Sequence, residues 1–312
     1  MSDPSETDPT ARVAVLLMAY GTPRSPDAIE AYYTEIRHGR PPSPVQLADL
    51  VARYAAIGGV SPLAQRTESQ RDALQRSLDR LGEYHVAIGL KHAEPKIETA
   101  VDELAAMGFT RVVAAVLAPH YSAASVGQYL DRAASAAARH HIDVVGLESW
   151  ATEPAFVDFL ASDLRRRLSA MPSNTKVVFT AHSLPARVVA GGDPYPEQLF
   201  ATAAAVAAAA SLGEWSGWAV AWQSAGRTRE AWIGPDILAV IDDLAASEAA
   251  DGLLVCACGF VADHLEVLYD LDIEARRRAE SLGLAFDRTT CVNDDPAVID
   301  ALAALIHQLA GR

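Results

Sequence analysis

His182 closes an apolar, β-branched run at residues 176–181 and is followed by Ser183-Leu184-Pro185. Glu266 follows a second such run, residues 253–258, within the stretch Gly259-Phe260-Val261-Ala262-Asp263-His264-Leu265-Glu266. Short apolar runs closed by Gly or Pro read as buried strands. Ligands of open α/β sheets bind beyond the carboxyl ends of the strands, so one imidazole and one carboxylate are expected at a common site. Imidazole is the side chain best suited to accept a proton near neutrality. Glu266, Asp270 and Glu274 recur at i, i+4 and i+8, which lines them along one side of a helix expected to begin near Val261. Like charges at that spacing cost an isolated helix about 0.2–0.5 kcal/mol per pair. A solvated face accounts for such a row. A row leading into a cleft would instead pass a divalent cation from ligand to ligand, and oxygen ligands with one imidazole suit a hard or borderline metal held loosely enough to release.

The elements that must position these groups alternate along the chain. Strand-like runs fall at residues 13–19, 85–89, 112–118, 142–147, 177–181, 218–222 and 253–258, with helical patterns at 67–81, 96–107, 126–140, 154–170 and 235–246. Alternating β and α implies parallel sheets covered on both faces. The expected fold is α/β, two doubly wound (Rossmann-like) domains of parallel sheet flanked by helices, at residues 11–150 and 151–295. A final amphipathic helix at 296–309, opened by Pro296 where no N–H is needed, is expected to pack back on the first half, and residues 1–10 to form a disordered tail. Further strand ends carry polar groups: Tyr20-Gly21-Thr22-Pro23, His120-Tyr121-Ser122 and Gln223-Ser224. No Gly-x-Gly-x-x-Gly follows the first strand and no phosphate-binding Gly-x-x-x-x-Gly-Lys-Ser/Thr occurs, so nucleotide chemistry is disfavoured. The alanine-rich tract 203–210 reads as close helix–sheet packing.

The chain has 312 residues, half of them apolar, 21% charged, with a net charge of −14. That charge argues against nucleic acid and against electrostatic docking on anionic lipid. Any anionic ligand must therefore meet locally placed cations. No basic-then-apolar leader and no span of roughly 20 apolar residues is present; a cytoplasmic monomer without an integral membrane segment is expected. Cys256, Cys258 and Cys291 cannot all pair. The first two, read as two apart on one strand, are explained as buried small hydrophobes.

His182-Ser183-Leu184-Pro185 and the long block Gly-Phe-Val-Ala-Asp-His-Leu-Glu-Val-Leu-Tyr-Asp at 259–270 resemble the paired active-site segments of the ferrochelatases, which insert Fe²⁺ into a porphyrin. Blocks at residues 16–23, 57–63, 89–95, 117–122 and 222–224 are similar to family blocks in the family order, so the resemblance covers the chain after its first ten residues. Ala19-Tyr20-Gly21-Thr22-Pro23 is most like the coproporphyrin III ferrochelatases, the water-soluble branch. The resemblance implies that His182 and Glu266 carry out metal transfer and deprotonation and that Asp270 and Glu274 form an outer metal site. It further implies that Tyr20 approaches the metal from the opposite face and that Arg37, Arg53, Ser61 and Tyr129 meet propionates. Coproporphyrin III has four propionates, and arginine binds carboxylate bidentately; without the resemblance, Arg37 and Arg53 read as surface arginines flanking helices. His38 stands where some relatives carry a second arginine. Coproporphyrin III and Fe²⁺ are thus the implied partners, with no tightly bound cofactor. Some members hold a [2Fe–2S] cluster on four cysteines; three cysteines cannot supply all four ligands, which leaves only a three-cysteine cluster with another ligand, and no cluster is expected. Two alternatives share features of this reading: a chelatase for another metal or tetrapyrrole, such as cobalt into sirohydrochlorin, and a porphyrin carrier, which would have no use for the acidic row.

Overall fold

The computed structural model describes residues 12–213, 217–226, 228 and 230–311; the tail expected at residues 1–10 lies outside them. The first half runs β1 (Val13–Ala19), α1 (Ile29–Ile36), α2 (Pro44–Ala56), α3 (Leu63–Leu78), β2 (Tyr84–Leu90), α4 (Ile97–Ala106), β3 (Arg111–Val116), α5 (Val126–Ala138) and β4 (Asp143–Leu147). The second runs α6 (Pro154–Leu168), β5 (Thr175–His182), α7 (Ala186–Ala190), α8 (Tyr195–Ala209), β6 (Trp218–Gln223), α9 (Ile237–Ala246) and β7 (Gly252–Cys256). It continues with α10 (Leu265–Leu268), a π turn (Asp270–Ala275), α11 (Arg276–Ser281), β8 (Ala285–Arg288) and α12 (Pro296–Ala310).

The strands form two four-stranded parallel sheets of identical order, β2-β1-β3-β4 and β6-β5-β7-β8. Near-continuous apolar runs suit strands buried on both faces, and Ala14 to Met18 are fully inaccessible. Each order reverses direction between its two central strands, which opens a crevice at their carboxyl ends. One apolar cluster runs through both halves, joining Val15 and Leu17 of β1, Phe156 of α6, Phe179 of β5 and Leu302 of α12.

The side chain of Asp295 caps α12 by accepting from the Ala297 and Val298 amides. This helix lies on the first half. Ser77 donates to Asp300 at 2.5 Å, and Tyr84 and His307 are hydrogen-bonded at 2.6 Å. Val298, Ile299, Leu302 and Ile306 are buried beneath it, each contributing roughly 1.5–3 kcal/mol.

Several elements differ from the sequence reading. The short edge strand β8, Ala-Phe-Asp-Arg, has no apolar run to announce it, and α1, α2 and α7 are additional helices. β7 ends at Cys256, and Cys258 lies beyond it with its amide turned back to the Cys256 carbonyl at 2.8 Å. The acidic helix begins at Leu265 and not near Val261. Residues ahead of it are held as a loop, because the Gly259 amide donates to Thr180 at 3.0 Å and the Asn293 amide to Val261 at 2.7 Å. The helix then widens: the Glu274 amide donates to the Tyr269 carbonyl at 2.9 Å, the i→i+5 bond of a π turn.

Candidate active site

His182 is the last residue of β5, in register with Gln223 at the end of β6. Its Nδ1 lies 2.5 Å from the Ser183 carbonyl oxygen. A carbonyl can only accept, so Nδ1 carries a hydrogen, and Nε2 is the nitrogen presented to the cleft. Nε2 is 3.6 Å from Oε1 of Glu266. The other carboxylate oxygen, Oε2, is 3.6 Å from Nε2 of His264, whose Nδ1 is likewise committed to a carbonyl, that of Ala262, at 2.9 Å. Glu266 therefore sits between two imidazoles, one for each oxygen.

Close backbone approach fixes this pairing. A Cβ on Gly259 would lie 2.3 Å from the Ala181 Cβ and 2.6 Å from its Cα, so only glycine lets the loop after β7 pack against the strand that carries His182. From β6, the Gln223 side chain donates to the Glu266 carbonyl at 3.0 Å.

The charges shift each other. Burial lowers the pKa of His182, but the adjacent Glu266 carboxylate outweighs it and raises the value to about 9. Burial alone would raise Glu266, yet His182 and His264 hold it well below the usual carboxylate range. At neutral pH the metal-free pair is therefore an imidazolium against a carboxylate.

Across the cleft, Tyr20 follows β1 with 42% of its surface exposed. Its ring packs on His92 with centroids 4.6 Å apart, and Glu35 accepts hydrogen bonds from both His92 and, at 3.0 Å, Lys96. Burial, followed by the charge of Glu266, pushes the Tyr20 phenol above its ordinary value. The phenol thus stays neutral and within range of the Glu266 charge.

A family profile for ferrochelatases matches residues 12–310. The chain belongs to the ferrochelatase family. A relative in Bacillus thuringiensis subsp. konkukian, named coproporphyrin III ferrochelatase 2, is 42% identical over 95% of this chain and 94% of its own length. The coproporphyrin III ferrochelatase of Geobacillus thermodenitrificans is 43% identical over 94% and 95%, and the ferrochelatase of Herpetosiphon aurantiacus 42% over 95% and 99%. Among solved structures, SirB from Bacillus subtilis with Fe³⁺ superposes with a TM-score of 0.58 at 12% identity, covering 96% of each chain. That likeness supports the chelatase-type α/β architecture alone.

Within this family the sequence-derived site residues separate into those the fold brings together and those it does not. His182, Glu266, Tyr20, Arg53 and Asp270 share the cleft. Asp270 is not a free ligand: Oδ1 is 3.0 Å from the Arg53 guanidinium and Oδ2 accepts from Ser224 at 2.5 Å. Burial and then the Glu266 charge raise its pKa to about 6, against the opposing pull of Ser224 and Arg53. Glu274 is near enough to add to that rise. Among the described residues, no group of three or more His, Cys, Asp or Glu is placed to hold a metal ion. Ser61 is buried, its hydroxyl accepting from the Leu63 amide at 3.2 Å. Tyr129 is buried beneath Lys91, whose Nζ lies 5.0 Å from the ring. Arg37, at the end of α1, rests over the Tyr33 ring at 5.6 Å and donates to the Arg40 carbonyl. His120, beyond the end of β3, is 2% exposed and bonded to Thr202 at 2.8 Å.

His264, His92 and Ser224 are the groups that motif reading left without a role. All three stand inside family blocks, but only the fold shows His264 turned to Glu266. Cys256, Cys258 and Cys291 are free, buried thiols. Among the described residues they do not gather into one set of metal ligands.

Proposed function

We propose that the chain is a coproporphyrin III ferrochelatase, a lyase that forms metal–nitrogen bonds: Fe²⁺ and coproporphyrin III give iron coproporphyrin and two protons, a step in haem biosynthesis. The observation that carries this reading is the Glu266 carboxylate held between the His182 and His264 imidazoles opposite a neutral Tyr20. Metal insertion needs a group that binds a cation briefly and gives it up, together with acceptors for two pyrrole protons. A carboxylate between two neutral-capable nitrogens provides both. An entering cation must first displace the imidazolium proton of His182, because ligands bind in their base forms. His182 Nε2 and Glu266 then pass the metal to the macrocycle and take up the departing protons. Tyr20, kept protonated by its surroundings, packs the other side of the ring. Arg53 and Arg37, with Ser61 and Tyr129, serve the propionates, and Asp270 and Glu274 the approaching metal. Ser61 and Tyr129 reach a propionate only if the cleft walls adjust.

We also assign the protein to the cytoplasm as a monomer. Among the described residues no helix is long and apolar enough to cross a membrane. Anaerobic incubation of the purified protein with Fe²⁺ and coproporphyrin III should convert the free-base absorption bands to those of the iron complex over many turnovers. Porphyrin binding without turnover would instead indicate a carrier. A preference for protoporphyrin IX would remove the branch assignment.

A further inference from the structure

Arg53 and Asp270 are each assigned a partner from outside the protein, a propionate and a metal ion, yet they are bound to each other. Arg53 reaches across the cleft from α2 of the first half to the π turn of the second, donating from Nη1 to Asp270 at 3.0 Å and from Nε to Asp49 at 3.2 Å. Its guanidinium stacks 4.6 Å from the Tyr269 ring centroid. Asp270, with a side chain 9% exposed, spends its second oxygen on Ser224. Ser224 holds a left-handed backbone at φ 58, a conformation that costs a non-glycine residue roughly 1 kcal/mol or more.

Asp270 spends its charge on Arg53, and Arg53 spends Nε and Nη1 on Asp49 and Asp270. Arg53 offers a propionate its full fork, and Asp270 offers a cation an unneutralised carboxylate, only once the pair separates. The two assigned roles therefore compete while the pair is closed. The group that can separate it at least cost is another carboxylate, because the guanidinium fork then exchanges one bidentate-capable anion for another.

We propose that Asp270 is a resident competitor for the propionate position on Arg53, and that exchange of the two carboxylates releases Asp270 to receive the metal. This inference rests on the proposed function and deepens it. Asp270 becomes a specificity-determining residue. A porphyrin bearing a carboxylate at that corner opens the metal approach, and one without it leaves Arg53 and Asp270 closed on each other. Coupling of this kind is reciprocal, so the porphyrin tightens metal binding by the same factor that the metal tightens porphyrin binding.

The decisive measurement is made without metal. Coproporphyrin III is titrated into the chelator-treated full chain, followed by porphyrin fluorescence, for the wild type, Asp270→Asn, Glu274→Gln, Arg53→Gln and the Arg53→Gln/Asp270→Asn pair. Asp270→Asn keeps the side-chain shape and drops the charge. It should tighten coproporphyrin at least about tenfold, the scale of one charge-assisted bond. Glu274→Gln removes a neighbouring charge that does not touch Arg53 and should do much less. The gain should vanish in the Arg53→Gln background, and for the tetramethyl ester of coproporphyrin. An unchanged affinity in Asp270→Asn, an equal gain in Glu274→Gln, or a gain that survives loss of Arg53 overturns the proposal.

If Asp270→Asn fails to fold, Co²⁺ titration of porphyrin-free protein decides instead. Arg53→Gln should bind Co²⁺ about tenfold more tightly than the wild type, and no change overturns the exchange. The Fe²⁺ insertion assay on the wild type reports separately on the proposed activity, so failure of the exchange and failure of the function are told apart.

Discussion

In the first sheet β1, one of the two strands paired on both sides, is followed by Tyr20; in the second its counterpart β5 ends in His182. The strands beside them, β3 and β7, lead into His120 and His264. Identical topology is thus followed by an aromatic or imidazole residue beyond the two central strands of each half, and the environments then diverge. His120 lies 2% exposed against Thr202 with an unpartnered buried Nδ1. Burial alone drives its pKa down to about 3. The His182 side chain is 36% exposed, and a carboxylate 3.6 Å away carries it up to about 9. What separates the two histidines is the neighbouring Glu266, and the chain supplies that group after β7 but not after β3. The first half offers neutral rings and a few cations to hold a macrocycle; the second concentrates the charge that can change hands.

The sharpest way to break this contrast is to remove one group from each wall. His182→Ala should lower kcat for Fe²⁺ insertion by roughly 10²–10⁴-fold, the usual loss of a general base, with coproporphyrin binding by fluorescence titration nearly unchanged. Tyr20→Phe, on the neutral wall, should cost under about tenfold in the same assay. Comparable losses would mean that the walls share the chemistry.

A second contrast concerns the loops that follow the strands. Gly259→Ala forces a Cβ into the backbone of β5, and overpacking of this kind costs about 1–3 kcal/mol. Gly21→Ala also meets a close neighbour, Ala93, at φ +89. Both should lower the denaturation midpoint in urea, but Gly259→Ala alone should also depress kcat, because its clash moves the carrier of His182.

The smallest effect is a slope with pH. Unfolded His120 takes a proton near pH 6.5, whereas the folded residue resists protonation until about pH 3. Its contribution is intact above pH 6.5 and is lost as pH falls toward 3, by up to about 1.4 kcal/mol per pH unit. The difference between wild type and His120→Gln in denaturant titrations from pH 7 to 4 should show that slope, and parallel curves would reject it.

Much of this site was readable in the residues because strand ends announce themselves: a β-branched run stopping at His182 or Gly259 needs no long-range information. The seven strand runs were found for the same reason. Contacts between distant residues were not readable. Arg53 and Asp270 stand 217 positions apart, and nothing local says that each satisfies the other. The π turn escaped because its apolar positions satisfy ordinary helical spacing as well, and the extra residue shows only in the bond from Glu274 to Tyr269. β8 was missed because Ala285 to Arg288 alternates too briefly to carry a pattern. Ser61 and Tyr129 could be placed in a motif, but motif position says nothing of how deeply a hydroxyl is covered.

Helix α12 belongs by sequence to the second half and by contact to the first, where Val298, Leu302 and Ile306 join the core and Asp300 bonds to Ser77 of α3. During synthesis the ribosome therefore delivers the first half with a bare apolar flank, which stays uncovered until residues 296–310 have left the exit tunnel. That flank is the surface a chaperone would meet on the nascent chain, and a ribosome stalled before residue 296 would hold a half-clad product prone to association.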